Sequence, residues 1–154
     1  MSIHHYLDNF FIAGAPNTSQ CSERLNTPIA LCELLNIALA EDKRKGPTTL
    51  MEYLGILLHS VALEAYLPAD KLLEIKSSLK RWLHHYQCTK QELLSLIGTL
   101  SFAAKVVPTG RTFLQRMIDL SASAVQLQDA ITLNEGFRLD IRWWTSLCNP
   151  LVRS

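Results

Sequence analysis

Residues 68–104 read PADKLLEIKSSLKRWLHHYQCTKQELLSLIGTLSFAA, and the period of this stretch decides the fold. Leu72, Ile75, Leu79, Trp82 and Tyr86 recur at spacings of three and four, the repeat of one helical face. Pro68 suits the first position of that helix, where a missing amide donor costs nothing. Lys71, Glu74, Ser78, Arg81 and His85 fall on the opposite side. Thr89-Lys90-Gln91-Glu92 then forms a capping box, in which the threonine and glutamate side chains each satisfy an amide of a helix's first turn. Cys88 and Leu93 sit where a hydrophobic staple needs them, and Leu93, Leu96, Leu100 and Ala104 continue as an apolar stripe.

Downstream, Val107-Pro108-Thr109-Gly110 should end this helix. A third helix is predicted from about Arg111 through Phe113, Leu114, Met117, Ile118 and Val125. After a loop near Asp129, Asn134 could cap a last helix whose Phe137, Ile141, Trp144 and Cys148 share one face. Upstream the pattern differs. Ile3–Tyr6 and Phe10–Ala13 are short apolar runs around a turn centred on Asp8-Asn9, since both residue types tolerate the positive φ of tight hairpins. Gly14-Ala15-Pro16-Asn17 breaks the strand. A helix from near Thr18 should bury Cys21, Leu25, Leu31, Leu34 and Leu35, with Pro28 kinking or splitting it. Glu41 to Pro47 is a charged loop, and Tyr53–Leu58 and Val61–Leu67 read as strands around His59-Ser60. The expected class is α+β: short β-hairpins, then a mainly α-helical remainder.

The chain has 154 residues, enough for one domain with a buried core at 48% hydrophobic composition. No apolar run approaches the length of a membrane span, and the N-terminus lacks the basic start and apolar core of a signal peptide. A soluble, intracellular chain (cytoplasm or nucleus) without a membrane partner is expected. Cys21, Cys32, Cys88 and Cys148 form no CxxC pair and are expected as buried thiols. His84, His85 and Cys88 are the tightest group of potential ligands, but adjacent histidines on a helix diverge by about 100°, so exposed histidines at a helix end are expected there.

The net charge of +1 conceals an asymmetry. Residues 68–116 carry eight basic side chains (Lys71, Lys76, Lys80, Arg81, Lys90, Lys105, Arg111 and Arg116) against three acids, while residues 1–67 carry four against seven. A basic helical middle is the distribution expected of a chain that touches a phosphate backbone, although ordinary solvated lysines give the same count.

Tyr6-Leu7-Asp8-Asn9 resembles the Tyr-x-Asp-Asp turn of reverse transcriptases. Lys43, Gly46-Pro47-Thr48-Thr49 and Tyr53-Leu54-Gly55-Ile56 resemble the Asp-Lys, Gly-Pro-Thr and Phe-Leu-Gly-Ile blocks that follow it in retroelement polymerases. Cys88 to Gly98, Ala104 to Arg111 and Arg138-Leu139-Asp140-Ile141-Arg142-Trp143-Trp144 complete the order. Nearly the whole chain resembles polymerases of long-terminal-repeat-related elements, most closely the DIRS-like, tyrosine-recombinase retrotransposons.

The resemblance implies that residues 1–66 are the C-terminal part of a palm, 67–128 a helical thumb, and 129–154 a connector towards a ribonuclease H domain. It implies an RNA-directed DNA polymerase using Mg²⁺ or Mn²⁺, with primer–template nucleic acid as partner and the rest of the palm and fingers as another. Asp8 would be a catalytic, metal-binding carboxylate and Lys43 a lysine beside the triphosphate. The eight basic residues would hold the nucleic-acid backbone, which supplies affinity without sequence preference.

Departures from the family pattern bear on activity. A two-metal site needs several carboxylates, and Asn9 offers a neutral amide where the family has a second aspartate. The family's other metal-binding aspartate and its fingers have no counterpart in these residues, so a weak, incomplete metal site and no catalysis in isolation are expected. The alternative is a helical unit retained as a protein- or nucleic-acid-interaction module. No P-loop, GxGxxG or HExxH occurs, and nothing groups a serine, a base and an acid. His4, His5 and His59 read as strand or turn residues, and Trp143-Trp144 as core packing rather than a stacking platform.

Overall fold

A computed structural model describes the backbone of residues 3–6 and 9–148 and the side chains of residues 10–148. The fold is α+β, with five α-helices and small antiparallel sheets among the described residues. The chain divides into two compact units, residues 1–53 with 58–64 and residues 54–57 with 65–154.

In the first unit, β1 (Ile3–Tyr6) and β2 (Asn9–Ile12) pair antiparallel, with Tyr6 opposite Asn9 and Ile3 opposite Ile12. Asn9 therefore belongs to a strand, not to the centre of the turn, because the ladder extends one pair further than expected. Leu7 and Asp8 lie outside the described residues. Arg24 Nη1 donates to the Ala13 carbonyl at 3.1 Å, tying the end of the hairpin to helix α1 (Gln20–Leu34). Pro28 lies inside α1 without splitting it; a single missing donor removes one ladder bond, and the flanking turns persist. The helix ends in a Schellman motif. Asn36, at φ 52°, turns the chain, so that the Ile37 amide reaches the Cys32 carbonyl at 2.8 Å and the Asn36 amide reaches that of Glu33 at 3.1 Å.

The expected buried stripe of α1 is not buried. Cys21 and Leu25 are half-covered, and Leu31, Leu34 and Leu35 are exposed at 53%, 79% and 58%. Periodicity identified the helix, but burial also needs a partner surface, and α1 buries no residue.

The next sheet has the order β3-β4-β5, from Leu50–Tyr53, Ile56–His59 and Glu64–Tyr66. Three strands replace the expected two. Leu54 and Gly55, at φ 51° and 75°, form a two-residue turn inside what read as one continuous strand. His59 ends β4, and its Nδ1 accepts the Ala62 amide of the following turn at 3.0 Å. The charged loop contains one short 3-10 turn, Glu41–Lys43.

The second unit holds the core. Helix α2 (Ala69–Trp82) buries Leu72, Ile75, Leu79 and Trp82, as its period predicts, with Pro68 as the residue just before the helix. Tyr86 departs from that face, because α2 has already ended; its ring lies exposed under Arg138, 4.5 Å away. Strand β6 (Gln87–Thr89) leads into α3 (Lys90–Ala103), whose capping box is formed: Glu92 accepts the Thr89 amide at 2.8 Å, and Thr89 Oγ1 accepts the Glu92 amide at 3.3 Å. Leu93, Leu96, Ile97 and Leu100 are buried.

The expected third helix is broken up. Pro108–Phe113 is a six-residue 3-10 helix, and α4 spans only Gln115–Ala122, leaving Val125 89% exposed. The 124–129 segment instead caps α3: Asp129 accepts the Val125 and Gln126 amides, and its carbonyl takes the Lys90 amide at 3.1 Å. Strand β7 (Ala130–Thr132) follows, pairing antiparallel with β6 so that Cys88 faces Ile131. Asn134 Oδ1 then accepts the Phe137 amide at 2.9 Å, capping α5 (Glu135–Cys148). Phe137, Ile141, Trp144 and Cys148 pack into the core against α2. Trp143 stacks on Phe113 with ring centroids 3.9 Å apart, so both tryptophans serve packing. Of the four thiols, Cys88 and Cys148 are buried as expected, whereas Cys21 and Cys32 are only half-buried. No described helix is long and apolar enough to cross a membrane.

Candidate nucleic-acid interface

The eight basic side chains separate by what each already touches. Lys71 is paired with Glu74 at 3.0 Å on exposed α2 surface, and this partner raises its pKa above the usual lysine value. Lys90 is a structural tie: its Nζ donates to the Ala124 carbonyl at 2.6 Å, holding the 124–129 segment on α3. Lys105 lies 5.3 Å over the Phe102 ring. Arg116 reaches from α4 to α5, where its Nη2 stands 2.8 Å from Oδ1 of Asp140.

Lys76, Lys80, Arg81 and Arg111 make no ion pair among the described residues. Lys76 and Lys80 are one helical turn apart on α2 and share a side of it. Arg81 follows on the adjacent face, and Arg111 stands exposed on the 3-10 helix. These four have no described partner and Lys105 meets only a ring, whereas Lys71, Lys90 and Arg116 are committed to partners.

The Pro108–Gly110 turn, between Lys105 and Arg111, does not open a helix with amides free for a phosphate. The 3-10 helix here is short, and the Gly110 amide is already bonded to the Val107 carbonyl at 2.9 Å.

Asp140 is the residue that sequence reasoning passed over. It is fully buried, with Arg116 as its ion-pair partner, and neither Oδ1 nor Oδ2 makes a well-aligned hydrogen bond among the described residues. Burial pushes its carboxyl above the usual carboxylate range, while the Arg116 charge pulls it back. The signal was present: a carboxylate at 140 falls among Phe137, Ile141 and Trp144, on the apolar face of α5. Gly136, one turn earlier, lies beside the arginine: a Cβ there would be in ordinary contact with Arg116 Nη1, at 3.4 Å.

Of the residues assigned to catalysis, Asp8 is outside the described set and Lys43 is exposed on the 3-10 turn of the first unit. Tyr6 and Asn9 are paired through their backbones, ending β1 and starting β2. Compared with protein-family models, curated proteins and solved structures, the chain matches none.

Proposed function

We propose that this chain is a segment of a retrotransposon reverse transcriptase, in which residues 67–128 act as a thumb that holds the primer–template backbone. The observation that carries the reading is the presence of four cations without ion pairs, Lys76, Lys80, Arg81 and Arg111, on one compact helical unit. Their contacts are to phosphate and therefore indifferent to sequence. Asp8 beside the neutral Asn9 supplies one carboxylate to a chemistry that needs more, so nucleotide addition by these residues alone is not part of the proposal.

Fluorescence anisotropy on a labelled RNA–DNA primer–template, at several salt concentrations, tests it. The expected dissociation constants are on the order of 10⁻⁴–10⁻⁶ M and weaken steeply with salt. Charge reversal at Lys76, Lys80 and Arg111 should lower both the affinity and the salt slope. Undetectable binding at low salt, or binding unaltered by the reversals, overturns the reading and leaves a protein-interaction module.

A further inference from the structure

We propose that the groove between α2 and α3 is a seat for a phosphate group, bound by the Arg81 guanidinium, the His85 imidazole and the hydroxyls of Ser78 and Ser95. The groove encloses about 270 Å³. Ser78, Arg81 and His85 are spaced by three and four along α2 and the turn just beyond it, so they line one wall together. Ser95 and Thr99 are one turn apart on α3 and line the other. Buried Trp82 and Leu96 complete the lining.

The donors on these walls are uncommitted. Arg81 makes no ion pair, and the Ser78 and Ser95 hydroxyls bond no described residue, whereas the Thr99 hydroxyl is spent on the Ser95 carbonyl at 3.1 Å. The imidazole of His85 packs 5.2 Å from the Trp82 ring, which restricts where it points. Glu92 is the one acid in the lining. Its carboxylate is turned to the cap, accepting the Thr89 amide at 2.8 Å and the Thr89 hydroxyl at 3.0 Å. Those bonds hold it below the usual carboxylate range, so it stays a fixed anion that attracts Arg81 and His85 without occupying their donors. A guanidinium in one groove with uncommitted hydroxyls and an imidazole can bond the tetrahedral oxygens of phosphate. The volume lies just below the usual range for small-molecule sites, which suits a phosphomonoester group better than a larger ligand.

Phosphate reaches such a seat either from a free phosphomonoester or from a nucleic-acid backbone. Arg81 is shared with the proposed thumb contacts, whereas Lys76, Lys80 and Arg111 lie outside the groove lining, so binding of inorganic phosphate reads the seat alone.

Titration of the ¹⁵N-labelled full chain by NMR, separately with inorganic phosphate, uridine monophosphate and a short RNA–DNA hybrid, tests the seat. Inorganic phosphate should give saturable shifts at the Arg81 and Ser95 amides and the Trp82 indole. Arg81→Gln should weaken it about tenfold or more, since a charge-assisted bond is lost, while Lys45→Gln, at an exposed lysine outside the groove, changes it less than about twofold. Arg81 is exposed and unpaired, so that variant should keep the parent melting temperature; a Ser78→Ala, Ser95→Ala double variant gives a second, charge-neutral test and should also weaken binding. Tighter binding of the monophosphate than of phosphate assigns the seat to free phosphomonoesters, and hybrid binding lost with Arg81→Gln assigns it to the backbone. Shifts that do not saturate, or equal losses in Arg81→Gln and Lys45→Gln, overturn the proposal.

Discussion

Gly110 lies against the indole of Trp144: a Cβ built on the glycine would overlap Cη2 of the ring. The two residues belong to the 3-10 helix and to α5, and both are buried. The requirement at position 110 is space rather than backbone freedom. Gly110→Ala should therefore cost about 1–3 kcal/mol, the usual range for overpacking. Gly98 on α3 has no neighbour within 4 Å of its would-be Cβ, and Gly98→Ala should stabilise by about 0.5–1 kcal/mol. Urea midpoints of the two variants check the pair; equal effects at both positions would refute it.

The buried carboxylate of Asp140 predicts a pH dependence. Its folded pKa is raised by burial, so the native state binds this proton more tightly than the unfolded chain does. The contribution is most favourable below the unfolded carboxylate value and is lost as pH rises through the folded value. Asp140→Asn should remove that part of the slope, which urea midpoints between about pH 3 and pH 7 can read. An unchanged slope would show that burial does not govern this group. Arg116→Ala leaves the carboxylate without its partner and should cost about 1–3 kcal/mol at neutral pH, less than a fully buried pair because the arginine is half exposed.

Hydrogen exchange should separate the units. Helix α1 buries no side chain, whereas α3 buries five. Amides of residues 20–34 should exchange well before those of residues 90–103, because local opening of α1 exposes little additional apolar surface. Uniform protection across both helices in a monomer would contradict this. The exposed leucines of α1 also predict self-association at high concentration, visible by light scattering.

Thiol chemistry provides an independent probe of burial. The Cys88 thiol is pushed up to about 11, first by burial and then by the Glu92 charge, and burial raises Cys148 as well. Ellman's reagent under native conditions should titrate Cys21 and Cys32 promptly, and Cys88 and Cys148 only on unfolding. Prompt reaction of all four would place β6 and α5 outside a closed core.

What could be read from this chain by itself is what depends on neighbours within one helical turn. The face of α2 at Leu72, Ile75, Leu79 and Trp82, the Thr89–Glu92 cap, the Asn134 cap and the face of α5 are set by side chains three or four residues apart. Such groups meet whenever the helix forms. The free cations and the groove were legible only in part, since composition counts a lysine without saying whether it holds the Ala124 carbonyl or faces solvent. Tertiary structure decided the rest. Three residues of β6 are too few to signal a strand until β7 pairs with them, some forty positions later. Leu31, Leu34 and Leu35 have the spacing of a buried stripe and remain exposed, because burial requires a second surface. The partner of Asp140 lies on another helix, and no local spacing could name Arg116. Local free energy chooses the helices and their caps, while the assignment of partners belongs to the packed chain.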